Sequence, residues 1–332
     1  MRSGVDPRQA YRAASSVTSG QWQGRQTRLA TGFDFLLVDP FDACVYRPQM
    51  NRLAVLLKTP AVTLVEFDHP AGAEHCDPDH EVSAQESISF VEDGTFDAHV
   101  DDAHWALGPG TLFLTRPGMA FRCRHVDYVP TDRCLTVSYS ERTIEDLMRV
   151  DLPPLRPPLA RMSARRQFLH HRLRSCVAGE EVRLELLAGA LFESVAANRQ
   201  SAPARVDSQL TPLMRRIERA VQLIETDYAR ALTLGDLASA AGLSTFYFAR
   251  VFQRFVGVPP HRYLTGVRLR HAARMLDEGA GVTFTCYEVG FGSLSHFVTA
   301  FRKRFGVVPS AVRQGGHVHV LRAGLSAPSW TG

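Results

Sequence analysis

The spacing of apolar positions divides the chain into a β-rich part and a helical part. Between residues 33 and 139, short apolar stretches alternate with turn sequences such as Glu92-Asp-Gly and Gly108-Pro-Gly. Closely spaced short strands separated by such turns are typical of a β-barrel or sandwich. Beyond residue 140 the apolar positions recur every three or four residues, which indicates amphipathic helices. The pattern therefore predicts an α+β protein with more than one domain.

Breaks in this pattern predict the domain boundaries. Four prolines between residues 153 and 158 cannot continue a helix, and a Ser-Ala-Pro-Ala sequence at 201–204 is typical of a linker. The predicted segments are a mobile arm at 1–30, a β-rich domain at 31–155, a helical segment at 156–200, a linker at 201–211, a helical domain at 212–315 and a flexible tail at 316–332.

The helical segment carries an apolar stripe at helical spacing, formed by Leu184, Leu187 and Leu191. Such a stripe is buried against something, because apolar side chains are driven out of water. It is either a dimerisation surface or a face that packs on the chain's own β-rich domain. The sequence leaves both alternatives open.

The helical domain contains an internal repeat with an offset of 49 residues. Aligning Ser244 with Ser293 also aligns Phe248 with Phe297. Each copy has a short helix, a glycine turn, a serine cap and a longer helix with phenylalanine at positions i and i+4. This plan is that of a helix-turn-helix unit, whose second helix enters the major groove of DNA.

Burying the phenylalanine side of each second helix determines which residues point outward. In the first copy these are Thr245, Phe246, Ala249, Arg250 and Gln253; in the second they are Leu294, Ser295, His296, Thr299 and Arg302. Arg250 is suited to a bidentate pair with guanine O6 and N7. The second face has no Arg, Asn or Gln except Arg302, which favours phosphate contact or shape readout there.

Charge supports a polyanionic partner for the helical domain. The whole chain has a net charge of +4, but residues 211–315 hold 14 Lys and Arg against 7 Asp and Glu. A compact basic region joined to a neutral-to-acidic one indicates that the basic part binds nucleic acid.

Residues of about 213–313 resemble the C-terminal DNA-binding domain of the AraC/XylS-type transcription regulators. The sequences that carry the resemblance are Leu234-Gly-Asp-Leu-Ala-Ser-Ala-Ala-Gly-Leu-Ser, Gly257-Val-Pro-Pro-His-Arg-Tyr-Leu, Val289-Gly-Phe-Gly-Ser-Leu-Ser-His-Phe and Phe301-Arg-Lys-Arg-Phe-Gly-Val-Val-Pro. The resemblance implies two recognition helices that bind promoter sites on double-stranded DNA. One departure is Thr285, which stands where the family has a large aliphatic residue, so the helix around it is expected to pack loosely.

The β-rich part resembles the cupin-like sensory domain found in many of these regulators, most closely at Ser87-Ile-Ser-Phe-Val-Glu-Asp-Gly-Thr-Phe and Leu107-Gly-Pro-Gly-Thr-Leu-Phe. This resemblance implies a small-molecule effector of unknown identity and a homodimer. Activation is the commoner mode in the family, and an activator would also contact RNA polymerase.

Other function classes are less well supported by the sequence. A thiol or metal sensor could use His75, Cys76, His80, Cys123 and His125, with Cys134 nearby. The six cysteines form no Cys-x-x-Cys motif and are expected to be reduced thiols. No catalytic motif or cofactor-binding loop is visible, so a cupin enzyme with a DNA-binding tail is the least favoured class. The absence of a signal peptide and of an apolar run of membrane-spanning length predicts a cytoplasmic protein.

Overall fold

The structure is a computed structural model that describes residues 52–68, 81–125, 132–149, 159–197 and 210–312. The predicted arm, the tail and residues 201–209 of the predicted linker lie outside these ranges. The strands are β1 Arg52–Lys58, β2 Val62–Asp68, β3 Glu81–Val82, β4 Glu86–Asp93, β5 Phe96–Val100, β6 Ala103–Leu107, β7 Thr111–Thr115, β8 Ala120–His125, β9 Arg133–Tyr139 and β10 Leu159–Arg161. The helices are α1 Glu141–Arg149, α2 Ala164–Arg174, α3 Glu181–Ala196, α4 Leu210–Asp227, α5 Leu234–Ala241, α6 Thr245–Val256, α7 Pro260–Asp277, α8 Val282–Glu288, α9 Leu294–Phe305 and α10 Pro309–Val312.

The β-rich part consists of two antiparallel sheets. A six-stranded sheet has the order β1-β2-β9-β4-β7-β10, and a four-stranded sheet has the order β3-β8-β5-β6. In the centre of the larger sheet, β4 pairs with β9 from Glu86↔Tyr139 to Asp93↔Arg133 and with β7 on its other side. The α+β prediction is thereby confirmed. The likeness to a cupin remains a prediction.

The six-stranded sheet is the middle of three layers. Because side chains alternate between its faces, Val91 and Phe113 point toward the four-stranded sheet and pack with Phe96 and Ala98. The side chains on the opposite face of this sheet pack against helices α2 and α3. They include Phe90, Leu64, Ile88, Leu112, Leu135 and Val137.

The leucine stripe of α3 forms the second half of this layer. Leu184, Leu187 and Leu191 are buried in the same cluster as the sheet residues, and the hydroxyl of Tyr139 donates a 2.8 Å hydrogen bond to the carbonyl of Ala188 on α3. The stripe therefore packs on the chain's own sheet. The alternative in which it is a dimerisation surface is wrong for these three residues, because each is at most 4% exposed within a single chain.

The chain between the two parts begins differently from the prediction. A helical segment was predicted at 156–200, but Leu159–Arg161 form strand β10, which pairs with β7. Helix α2 begins only after Ser163, whose side chain accepts a hydrogen bond from the backbone N–H of Arg166. This serine cap fixes the start of the helix because it satisfies one of the free N–H groups of the first turn.

The helical domain has two hydrophobic cores that share one helix. The first half of α7 contributes Tyr263, Leu264 and Val267 to the core around Phe248 and Phe252. Its second half contributes Leu269, Ala272, Ala273 and Leu276 to the core around Phe297 and Phe301. None of the helices within the described ranges has an apolar segment that could cross a membrane.

Candidate nucleic-acid interface

Both copies of the repeat form helix-turn-helix units, α5–α6 and α8–α9. In the first, the side chain of Thr233 and that of Asp236 bond reciprocally to each other's backbone N–H, which forms a capping box at the start of α5. Gly242 ends α5 with a φ of +62°, a conformation that favours glycine. Ser244 occupies the cap position of α6 but makes no side-chain capping bond, whereas Ser293 caps α9 by accepting from the N–H of His296 at 3.4 Å.

The outward face of α6 is available to a partner. Phe246 is 79% exposed, the largest exposed fraction among the large apolar side chains described. Thr245, Arg250 and Gln253 are also exposed and Ala249 is half-buried, while the opposite face packs into the core. The guanidinium of Arg250 lies 5.9 Å from the ring centroid of Phe246 and 5.7 Å from that of Tyr247. These cation–π contacts restrain the cation before any partner binds.

A groove of about 420 Å³ runs beside this face. One wall is formed by Phe246, Ala249, Arg250 and Gln253, and the other includes residues near the start of α7: Pro259, Pro260, His261 and Leu264. Four of the five residues predicted to face DNA on α6 therefore border one continuous concave surface. At this surface a cation, Arg250, and an aromatic ring, Phe246, lie next to each other.

The outward face of α9 is exposed but chemically poorer. Leu294, Ser295, His296, Thr299 and Arg302 are all exposed, yet the hydroxyl of Thr299 is already bonded to the carbonyl of Ser295 at 2.9 Å. Arg302 lies in the last turn of the helix. The long polar side chains that recognise bases are absent from the first two turns, as the sequence indicated.

Thr285 led us to expect that helix α8 packs loosely, and this prediction is wrong. Thr285 and Cys286 are completely buried against the second core. The Oγ1 of Thr285, however, has no hydrogen-bond partner among the described residues. The consequence of having Thr285 in place of an aliphatic residue is therefore a buried hydroxyl without a hydrogen bond, while the helix itself stays packed against the core.

Two arginines of the basic domain have structural roles. Arg216 on α4 donates to the carbonyl of Ala241 at 2.8 Å and to that of Gly242, so it supports the first turn. Arg268 donates to the carbonyls of Tyr228 and Arg230, each at 2.7 Å. Arg268 is one of the 14 Lys and Arg residues of the basic region, but its donors bond to backbone carbonyls of its own domain.

Sequence reasoning missed a polar cluster that joins the β-rich part to the DNA-binding domain. The guanidinium of Arg172 on α2 is buried and lies 3.2 Å from Glu218 and 3.0 Å from Glu225, both on α4. Tyr263 on α7 donates a 2.6 Å hydrogen bond to Glu225. Burial alone would raise the pKa of Glu225, but Arg172 and Tyr263 outweigh it and lower that pKa. The arginine-rich sequence of α2 was the only available signal.

The described cysteines offer little to a thiol sensor. Cys123, Cys134, Cys176 and Cys286 belong to no disulfide. Burial raises the pKa of Cys134 to about 12 and also raises that of Cys176 and of Cys286. Because the thiolate is the reactive form, burial makes these three less reactive.

The predicted metal ligands are only partly within the described residues. His75, Cys76 and His80 lie outside them, and Cys123 and His125 belong to β8. Within the described ranges, no three His, Cys, Asp or Glu side chains form a group that could hold a metal ion.

Comparison with known proteins agrees with this geometry. A helix-turn-helix domain family matches residues 237–315. The chain is similar to the HTH-type transcriptional regulator YbfI of Bacillus subtilis, with 24% identity over 63% of this chain and 77% of that protein. It is 34% identical to the HTH-type transcriptional activator RhaS of an Enterobacter species over 30% of this chain, and spans only 36% of the length of that relative.

A third relative extends into the β-rich part. A putative AraC-like transcription regulator of Streptomyces lividans is 28% identical over 68% of each chain. The matched family, the two turns and the two exposed second helices lead to one assignment: the C-terminal region of this chain is a helix-turn-helix domain, and it is similar to that of an AraC-like transcription regulator.

Proposed function

We propose that the protein is a sequence-specific DNA-binding transcription regulator. The observation that carries the proposal is the exposed outward face of α6, where Arg250 and Phe246 stand together on the second helix of a helix-turn-helix unit. The relatives named above are transcription regulators, which supports the same class. In this proposal the protein acts by binding and not by catalysis.

Within that function the two helices have different tasks. Arg250 pairs with a guanine, and Phe246 and Ala249 contact the neighbouring base edges in the major groove. Thr245 and Gln253 border the same face. On α9, Arg302 and His296 contact phosphates, while Leu294, Ser295 and Thr299 follow the shape of the groove. The domain's other exposed cations make binding strongly salt-dependent.

Control by the N-terminal part is a second element of the proposal. Helix α2 contacts both the DNA-binding domain and the β-rich part. The ring centroids of Phe168 on α2 and Phe255 on α6 lie 5.7 Å apart, while His170 and Arg174 form hydrogen bonds with Glu92 near the end of β4. These contacts lie on opposite faces of one helix, so a displacement at the sheet changes the support of the first recognition helix.

The N-terminal part would accordingly respond to an effector, through a cupin-like domain at 31–155 and the helical segment at 156–200. We also infer a cytoplasmic homodimer that acts mainly as an activator and contacts RNA polymerase. The surface that joins two copies must be other than the leucine stripe of α3, which is buried within one chain.

The proposal is tested by selecting genomic fragments with the purified full-length protein at about 150 mM salt, a physiological level, followed by footprinting. We expect one recurring site, protected over two successive major grooves. Arg250→Ala provides the matched variant, since it removes the base-pairing side chain and leaves the core intact. No enriched sequence, with or without candidate effectors, would overturn the proposal.

A further inference from the structure

The loop between α4 and α5 contacts both helix-turn-helix units. The first three residues of this loop, Tyr228, Ala229 and Arg230, are called the 228–230 joint here. The joint precedes the first unit in the chain, but the side chain of Tyr228 packs against both hydrophobic cores of the domain. A residue shared by two cores transmits a change in the orientation of one core to the other.

Helix α7 holds the joint from one side. Arg268 donates 2.7 Å hydrogen bonds to the carbonyls of Tyr228 and Arg230. The rings of Tyr228 and His271 stack with centroids 3.9 Å apart and an interplanar angle of 12°. Burial, together with Arg274 and Arg270, lowers the pKa of His271 to about 4. The imidazole is therefore neutral at physiological pH and stacks without the cost of a buried charge.

The turn of the second unit holds the joint from the other side. Gly290 lies between α8 and α9 with a φ of +89°, and a Cβ atom placed on it would be only 2.4 Å from the carbonyl oxygen of Ala229. A side chain cannot occupy that space without moving the backbone of the joint. The turn that precedes the second recognition helix thus rests directly on the loop that precedes the first unit.

Two attachments constrain the domain more than one. The shared helix α7 alone would leave the two cores free to twist about its axis and to bend with it. The contact between Ala229 and Gly290 adds a second attachment away from that axis, so the relative orientation of α6 and α9 is determined. Neither residue belongs to the outward face of α6 or α9.

We propose that Tyr228, Ala229 and Gly290 are positioning residues that set the spacing between the two half-sites this protein accepts on DNA. The inference rests on the proposed function. One base pair inserted between the half-sites displaces one of them by about 3.4 Å and rotates it by about 35°. A rigid pair of recognition helices cannot follow that change, whereas a loosened pair can.

The experiment uses the full-length protein and the site found by selection, with zero or one base pair inserted or deleted between the half-sites. A duplex that carries only the half-site of α6 is measured in parallel. We expect the unmodified protein to lose about tenfold in affinity for each one-base-pair change, the size of a typical single defect in a DNA site.

Gly290→Ala is expected to lose about tenfold on the native spacing. It should keep its affinity for the single half-site and tolerate altered spacings better than the unmodified protein does. Two controls separate this effect from simpler ones. Gly292→Ala lies in the same turn with no atom within 4 Å of the new Cβ, and Gly279→Ala has the same backbone strain, with a φ of +93°, but again no neighbour within 4 Å. Both should keep the native spacing profile.

Tyr228→Leu, which removes the stacking but keeps an apolar side chain, carries the test if Gly290→Ala does not fold. The inference is overturned if the variant keeps the native spacing profile, or if it weakens the half-site and every spacing equally. It is also overturned if the unmodified protein protects a single groove, although the proposed function would then stand. Failure to find any specific site would instead overturn the proposed function.

Discussion

Arg172 on α2 donates from one guanidinium nitrogen to both carboxylate oxygens of Glu225 on α4, each at 3.0 Å. The two residues lie 53 positions apart and belong to different parts of the molecule. Glu218 lies two turns earlier on the same side of α4, and its carboxylate is 3.2 Å from the Nε of the same guanidinium. A single arginine of the N-terminal part is thus enclosed by acidic groups of the DNA-binding domain.

Arg172→Ala should weaken the association of the two parts. Removing one member of a buried ion pair costs about 3–5 kcal/mol, because the largely buried Glu218 and the half-buried Glu225 lose this counter-charge. By calorimetry we expect the unmodified protein to unfold in one transition and the variant in two, with the domain transitions separated. Arg133→Ala is the control, since its guanidinium is 48% exposed and pairs with Glu92 within the β-rich part. A single, unshifted transition for Arg172→Ala would contradict this account.

Arg250→Ala should reduce affinity for the selected site by about 1–3 kcal/mol and relax the preference at one base position. The loss is specific because a guanine loses its bidentate donor, while phosphate contacts remain. Binding to a set of single-base variants of the site measures both effects. Arg302→Ala is the comparison: we expect a similar weakening on every sequence and a smaller dependence on salt. An unchanged base preference for Arg250→Ala would show that another residue reads that position.

Thr285→Val should stabilise the DNA-binding domain by about 1 kcal/mol. The substitution keeps the shape of a completely buried side chain and removes an Oγ1 that has no partner among the described residues. Urea unfolding followed by circular dichroism measures the change. Thr283→Val, on the exposed side of the same helix, should alter the free energy of unfolding by less than about 0.5 kcal/mol. A loss of stability in Thr285→Val would indicate that a water satisfies the hydroxyl.

Glu92 should make the protein sensitive to acid. Burial alone would raise its pKa, but the hydrogen bonds and charges of His170 and Arg174 lower it to about 2. The folded state therefore binds this proton less readily than the unfolded state does. The stabilisation is present above about pH 4.5 and is lost as the pH falls toward about 2, with a total of roughly 3 kcal/mol.

Glu92→Gln removes that titration, so its free energy of unfolding should vary less over this interval than that of the unmodified protein. Urea unfolding at a series of pH values measures the difference. Glu145→Gln, at an exposed position of α1, should leave the pH profile unchanged. Parallel profiles for Glu92→Gln and the unmodified protein would contradict the assignment.

The outward face of each recognition helix was predictable because its opposite face is marked by large aromatic residues. Phe248 and Phe252 in α6, and Phe297 and Phe301 in α9, are completely buried as the repeat predicted. Once the inward side is known, helical geometry fixes the rest. Whether the exposed residues contact DNA stays a prediction.

Contacts between distant segments were not predictable. The leucine stripe of α3 showed only that it is buried against another surface. A second copy of the chain and the chain's own β-rich domain were equally consistent with its spacing. Likewise, Arg268 has the same residue type as a phosphate-binding arginine, but its donors satisfy the carbonyls of the 228–230 joint. The identity of a partner depends on the tertiary fold, and neither charge nor periodicity encodes it locally.

The position of Phe168 has a consequence for dissecting the molecule. Although it belongs to α2, on the N-terminal side of the predicted linker, it is a buried member of the first core of the DNA-binding domain. A fragment that begins at Leu210 would leave a gap beside Phe255 and expose apolar surface to solvent. Such a fragment should be more prone to self-association than the intact chain. A soluble DNA-binding piece of this protein would keep α2.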